Sequence, residues 1–203
     1  MNQILFNGNE NNKKTYIFKL QFIISIIFAF ITIVIIYSIY IKDNNLENIS
    51  KILDKNIKLY NVYNIEKTER EEKLYFGRII IDKIGLEYTV FNLYNEELLK
   101  ISPCKFNGKS LNDKSNICIA AHNYNDDRFF GRIDELNIKD TIKIEDLKGE
   151  EYIYTIYDIF ETKDNDLSIL KSNKNYELTL LTCNNSNNKR IIIKAYRKEY
   201  WKK

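Results

Sequence analysis

The stretch Tyr176–Tyr196, YELTLLTCNNSNNKRIIIKAY, holds two apolar runs, Tyr176–Thr182 and Ile191–Tyr196, separated by the polar loop Asn184–Lys189. Short runs rich in β-branched and aromatic residues, bounded by Asn and Ser, read as strands. A thiol, Cys183, closes the first run, and a guanidinium, Arg190, opens the second seven positions later. A free thiol is mostly protonated near neutral pH, so a nucleophilic cysteine needs a base or a charge partner. The chain contains one histidine, His122, at the end of the run Ile117-Cys118-Ile119-Ala120-Ala121-His122. A Cys/His enzyme built on this chain must therefore use His122.

Working outward, the same short-strand pattern recurs. Phe76–Ile81 precedes the turn signal Lys83-Ile84-Gly85, and Glu87–Phe91 follows it. Asn95–Ile101 reads as one short helix and Ser102–Asp113, with Pro103 and Gly108, as a loop. Ile117–Ala121 reads as a buried strand that delivers His122 at its end. Arg128–Leu136 is expected to make one or two helical turns with Phe129, Ile133 and Leu136 inward. Thr141–Glu145 and Tyr152–Thr162 flank Lys148-Gly149-Glu150, which predicts a hairpin. Seven or eight short β segments with few helices predict a mainly β domain, a closed barrel or a sandwich. His122 and Cys183 both fall at strand ends, where side chains are held rigidly.

The N-terminal part has a different character. Phe22–Ile41, FIISIIFAFITIVIIYSIYI, is an uncharged apolar run of about 20 residues, long enough to cross a hydrocarbon core of about 30 Å as a helix. Its hydroxyls at Ser25, Thr32 and Ser38 can bond back to the helix. Tyr37 and Tyr40 sit at the far end, where aromatic residues favour the membrane interface. The run is too long for a signal peptide, and no small-x-small cleavage site follows. Lys13, Lys14 and Lys19 precede it, while Lys42, Asp43 and Glu47 follow, so the positive-inside rule puts residues 1–21 in the cytoplasm and everything after Ile41 outside. No second apolar span occurs, which predicts a single-pass protein. Between the span and the barrel, Leu46, Ile49, Leu53, Ile57 and Tyr60 recur at helical intervals. Residues 42–73 are expected to form a helical linker or stalk, and 74–203 the external domain.

Composition narrows the chemistry. The net charge is +3 over 203 residues, with lysines scattered among acidic residues, unlike the concentrated basic face of a nucleic-acid binder. The three cysteines, Cys104, Cys118 and Cys183, show no CxxC spacing, and one histidine does not complete a common Cys/His zinc set. Cys118 reads as a small buried hydrophobe. Cys104 follows Pro103 in the expected loop, and a Cys104–Cys118 disulfide stays open at this point.

The external region resembles the sortases, Gram-positive cysteine transpeptidases that attach proteins to the cell wall or to pilus fibres. Thr179-Leu180-Leu181-Thr182-Cys183 fits the family's TLxTC strand end, and Arg190 stands where the family's arginine belongs. Ile119-Ala120-Ala121-His122, Phe76–Leu86 and Leu136–Ile142 are similar to further family segments, so the resemblance runs from about Tyr75 to Tyr196. Two positions depart from the pattern: Ala121 replaces the usual Gly before the histidine, and Lys139 replaces a frequent Gly. The resemblance implies a closed sortase-type β-barrel preceded by a transmembrane helix. It assigns Cys183 as nucleophile, His122 as acid and base, and Arg190 as the oxyanion or substrate-carbonyl contact, with Thr182 supporting the substrate or oxyanion region. It further implies cleavage of an LPxTG-like sorting signal and transfer to an amine of a lipid II cross-bridge or a pilin lysine. No cofactor is expected. Some members order a loop with calcium, and Glu161, Asp164 and Asp166 fall in the corresponding loop, where simple solvation is the expectation. The short interval from His122 to Cys183 excludes the long helical insertion of class B members, leaving a class D-like or housekeeping-like enzyme. The rival readings are a Cys/His cell-wall peptidase or amidase and a non-catalytic membrane-tethered β-barrel binding module.

Overall fold

The computed structural model describes residues 7–63, 73–184 and 186–197, with side-chain surroundings given for 16–54 of the first stretch. The chain divides into two compact units, Met1–Leu46 and Glu47–Lys203. A single helix, α1 (Asn7–Tyr63), runs through the N-terminal region. Its segment Tyr16–Asp54 is the one helix among the described residues long and apolar enough to cross a membrane, and none of its most apolar window is buried by protein. This fits single-pass membrane anchoring. Within it Thr32 Oγ1 donates to Ala29 O at 2.7 Å and Ser38 Oγ to Val34 O at 2.8 Å, so these hydroxyls are satisfied inside the helix. Residues 1–6 and 64–72 of the expected tail and linker lie outside the described residues.

The second unit is a closed eight-stranded barrel: β1 (Tyr75–Ile81), β2 (Leu86–Phe91), β3 (Cys104–Asn107), β4 (Asn116–Ala120), β5 (Thr141–Asp146), β6 (Glu151–Thr162), β7 (Glu177–Asn184) and β8 (Lys189–Tyr196). Around the barrel the order is β1-β2-β3-β4-β7-β8-β6-β5, and β5 closes it against β1. The pairs β2–β3 and β4–β7 are parallel; the others are antiparallel. Closure removes the exposed edges that would otherwise invite pairing with other chains. The expected hairpin across Lys148-Gly149-Glu150 is present as β5–β6. The turn after β1 is a 3-10 turn, Asp82–Ile84, closed by Gly85 at φ 63°, a left-handed position that glycine adopts without strain.

Alternate residues of the strands enter two different apolar layers. Ile117, Ile119, Ala121, Leu178, Leu180, Ile193 and Ala195 fill the barrel interior. Their neighbours Cys118, Ala120, Leu181 and Ile192 face a second cluster outside the barrel wall. That cluster is completed by Leu99 of α2 (Glu96–Leu99) and Ile169 of the 3-10 helix Leu167–Leu170, with Leu53 of α1 packed against it. Asn95 caps α2 by accepting from Leu98 N at 2.8 Å, which explains the helix start.

Two local expectations are corrected. Ser102–Asp113 is not all loop: Cys104–Asn107 forms β3, and Cys104 is fully buried opposite Ala120. Four residues with a bulge against β4 are too few to show alternation in the sequence. Arg128–Leu136 does not coil as an α-helix. Asp127 and Phe129 lie at φ 68° and 53°, and the backbone bonds that follow join residues three apart, so the segment is a chain of tight turns ending in the 3-10 turn Ile133–Glu135. Phe129, Ile133 and Leu136 are buried as expected.

On the same outer face of β7 and β8 lies a buried ion pair. Lys194 Nζ donates to Glu177 Oε1 at 2.7 Å, with side-chain exposures of 3% and 0%. Glu177 also accepts from Tyr157 Oη (2.8 Å), Asn173 N (2.6 Å) and Lys174 N (3.1 Å), while Lys194 donates to Lys171 O (3.2 Å). Burial alone would raise the Glu177 carboxyl, but these donors together hold it below its ordinary value. The pair thus ties the β6–β7 connection to the sheet.

Two outcomes follow from this architecture. Glu177→Ala strands Lys194 as a buried unpaired charge and should cost about 3–5 kcal/mol in urea unfolding. Because the folded-state value is depressed, the carboxylate's contribution is present above about pH 4.3 and lost as pH falls through the lower folded value. The stability gap between wild type and variant should therefore narrow on acidification. Separately, Lys139 sits at φ 79°, where a side chain costs about 1–2 kcal/mol, so Lys139→Gly should raise the melting temperature.

Candidate active site

Strand β4 runs parallel to β7 with a constant offset: every pair from Asn116↔Glu177 to Ala120↔Leu181 is separated by 61 positions. His122 and Cys183 are separated by the same 61. The pairing continues past the end of β4, because Ala121 N donates to Leu181 O at 3.1 Å and Thr182 Oγ1 to Ala121 O at 2.7 Å. Beyond the histidine, Asn123 Nδ2 donates to Cys183 O at 2.9 Å. The backbone after β4 thus runs on alongside the end of β7, which carries Cys183. On the other side Cys183 pairs with Arg190 of β8, and Arg190 pairs with Thr162 of β6.

Residues directly opposite one another in a sheet share a face. Cys183 and Arg190 are such a pair on β7 and β8, and the offset of 61 carried past the end of β4 brings His122 alongside Cys183. By alternation these positions continue the outward series Cys118, Ala120, Leu181 and Ile192, at the strand ends next to the outer apolar cluster. The barrel interior is left to Ala121 and Leu180.

Of the three thiols only Cys183 is exposed; all three are unbonded, which settles the open Cys104–Cys118 pairing against a disulfide. Burial pushes the Cys104 and Cys118 thiols up to about 12, leaving them inert as nucleophiles at neutral pH. The His122 imidazole is half-buried. Burial lowers its pKa, the Glu96 carboxylate of α2 opposes that shift, and the Lys100 ammonium adds to it. The ring stands 5.3 Å from Tyr124, whose own ring carries the Arg128 guanidinium at 4.3 Å. Phe130 N donates to His122 O at 3.0 Å, fixing the backbone after the strand.

Arg190 Nε donates to Asp164, so its guanidinium is held at the β6–β7 connection. Thr182 is buried with its hydroxyl committed to Ala121 O, on the opposite face from Cys183. The acidic residues of the neighbouring loop have separate partners. Glu161 accepts from Asn184, from Asn187 (3.0 Å) and from Lys189 (3.4 Å), organising the β7–β8 turn. Asp166 accepts from Thr162 Oγ1 (2.6 Å) and Ser168 N (2.9 Å), capping the 3-10 helix. No group of three or more metal-type side chains converges among the described residues. Asn123, Tyr124 and Glu96 escaped the sequence reading, and Asp164 entered it only as a solvated loop charge. Asn123 alone carried a local signal, its position directly after the only histidine.

A thiol and a guanidinium paired across two strands, with an imidazole following the end of the next strand, can perform acyl transfer through a thioester. Comparison with known proteins agrees. The sortase domain model matches residues 79–198. The fold is similar to that of the sortase D5 transpeptidase of Clostridium perfringens, at 26% identity over 75% of this chain and 99% of that one, with a TM-score of 0.62. It is also similar to sortase C1 of Streptococcus suis (23% identity, 66% and 78% covered, TM-score 0.57) and sortase C of Streptococcus pneumoniae (21%, 67% and 74%, 0.57). No curated protein matches the sequence. With its closed barrel, its accessible cysteine and a family match over more than half its length, the chain belongs to the sortase family and is a cysteine transpeptidase.

Proposed function

We propose that this enzyme cleaves an LPxTG-like C-terminal sorting signal with Cys183 as nucleophile, His122 as acid and base, and Arg190 as the oxyanion contact. The single observation that supports this assignment is the exposed Cys183 paired with Arg190 across β7 and β8, next to the end of β4 from which His122 follows. His122, half-buried and with a lowered pKa, is largely neutral at pH 7 and so able to accept the thiol proton. The Cys183 sulfur then attacks the carbonyl carbon of the Thr–Gly bond. Negative charge gathers on the carbonyl oxygen, where the fixed, permanently charged fork of Arg190 stabilises it. The C–N bond breaks as the imidazolium protonates the departing Gly amine, leaving a thioester on Cys183.

An acceptor amine, from a lipid II cross-bridge or a pilin lysine, attacks the thioester. It gives its proton to His122 and expels the Cys183 sulfur. Thr182 supports the site indirectly, by tying the Cys183 strand to Ala121 beside the histidine. No step calls for a cofactor. Residues 1–21 face the cytoplasm, 22–41 span the membrane, 42–73 form the stalk, and the catalytic domain 74–203 stands outside, where surface proteins and wall precursors meet. The similarity to a D5 transpeptidase over nearly the whole of that chain favours a class D-like enzyme.

The test uses the detergent-solubilised full chain with an LPxTG peptide and an amine. Wild type should give the transfer product and a thioester adduct seen by mass spectrometry, while Cys183→Ala gives neither; hydrolysis of peptidoglycan with no transfer product would sink the reading. Arg190→Lys, which keeps the charge but loses the fork, should cost about a hundredfold in kcat. In an NMR titration the single histidine should ionise below the ordinary 6.5. Glu96→Gln should lower its midpoint further, since that carboxylate favours the charged ring.

A further inference from the structure

We infer that Asp164 is a positioning residue for Arg190, holding the guanidinium in its working orientation from the β6–β7 connection. The inference rests on the reading of Arg190 as the oxyanion contact. An arginine side chain has many rotamers to lose, and Arg190, the second residue of β8, has part of its side chain in solvent. Something must restrict it before its fork can meet a charge that exists only in the transition state. Asp164 is the carboxylate that does so, and it engages Nε rather than the terminal nitrogens. It is the one carboxylate bonded to Arg190 among the described residues.

An ion pair this exposed would ordinarily contribute little, because both partners are free to move. Here one partner sits on a fastened support. Asp164 lies in the tight turn closed by Asp166 N donating to Lys163 O at 3.2 Å. Just before that turn, Thr162 pairs with Arg190 itself in the sheet and bonds Asp166 at 2.6 Å. Just after it, Asp166 caps the 3-10 helix whose Ile169 is buried in the outer cluster. Asn116 Nδ2 holds Ile169 O at 3.0 Å, and the buried Lys194–Glu177 pair anchors residues 171–174. The turn carrying Asp164 is thus pinned on both sides, and the orientation it gives Arg190 follows from that support. Glu161 performs the companion task on the turn between Cys183 and Arg190, through Asn184, Asn187 and Lys189.

The experiment compares Asp164→Asn, Asp164→Glu, Arg190→Ala and the double variant Asp164→Asn/Arg190→Ala in the full chain, using LPxTG peptide and amine. Asp164→Asn should lower kcat about tenfold with KM little changed, since the interaction lost serves the transition state. Asp164→Glu should recover part of the rate. The double variant should be no slower than Arg190→Ala alone. Raising NaCl to about 1 M, where the screening length falls to about 3 Å, should slow wild type toward Asp164→Asn and leave that variant unmoved. A merely structural role would not produce that salt pattern, and thermal melting checks that the variants fold. If Arg190→Ala is inactive while Asp164→Asn keeps wild-type kcat, only the positioning inference falls. A faster Asp164→Asn also overturns it, making Asp164 a competitor for the guanidinium. Normal turnover by Arg190→Ala removes the underlying reading together with this one.

Discussion

The parallel pairing of β4 with β7 is the constraint on which the site depends. These strands are far apart in sequence, and nothing local aligns them. Their register is bolted at several points by side chains as well as by the ladder: Thr179 Oγ1 to Asn116 Oδ1 at 2.9 Å near the start, Thr182 Oγ1 to Ala121 O and Asn123 Nδ2 to Cys183 O at the end. A slip of one residue would exchange the faces of every side chain on the moved strand. His122 or Cys183 would then turn into the barrel interior, and a polar or charged side chain would enter the apolar core. The register that packs Ile117, Ile119, Leu178 and Leu180 is therefore the register that sets imidazole beside thiol.

The outer apolar cluster turns a sheet surface into a site with walls. Leu99 from the α2 side and Ile169 from the β6–β7 side pack down onto Ala120, Leu181 and Ile192, next to the reactive groups. Burial lowers the His122 pKa as well, favouring the neutral imidazole. The Lys194–Glu177 pair lies on the same face and fastens the connection that reaches Arg190. A buried ion pair is a poor source of net stability compared with apolar packing. Its many backbone bonds here favour fixing the loop's path as its main effect.

Both departures from the family pattern prove compatible with the barrel. The Ala121 methyl is buried in the interior, and its backbone makes the two bonds that align the strands, so the strand end survives the loss of glycine. Lys139 occupies a left-handed backbone position that glycine would take without strain, and Asp140 N donating to Asn137 O at 3.1 Å holds the turn nonetheless. Other features left no trace in the sequence. Strand β3 is too short to show a period, and Asp127 and Phe129 break the helical pattern of their segment by backbone geometry alone. The partners of Arg190 and His122, Asp164 and Glu96, come from loops whose acidic residues read as ordinary solvated charge.

By itself the sequence determined the apolar span, the mainly β character of the rest, and the candidates for the reactive groups. A single histidine and a cysteine at a strand end leave little choice, and strand periodicity is a local property that short windows record. The tertiary structure alone decided which of three thiols is accessible, which face Cys183 and Arg190 share and which side chains bond to them. Those outcomes depend on register between distant strands and on how loops fold back over the sheet. Such contacts form between residues tens of positions apart, where no local pattern in the chain can encode them.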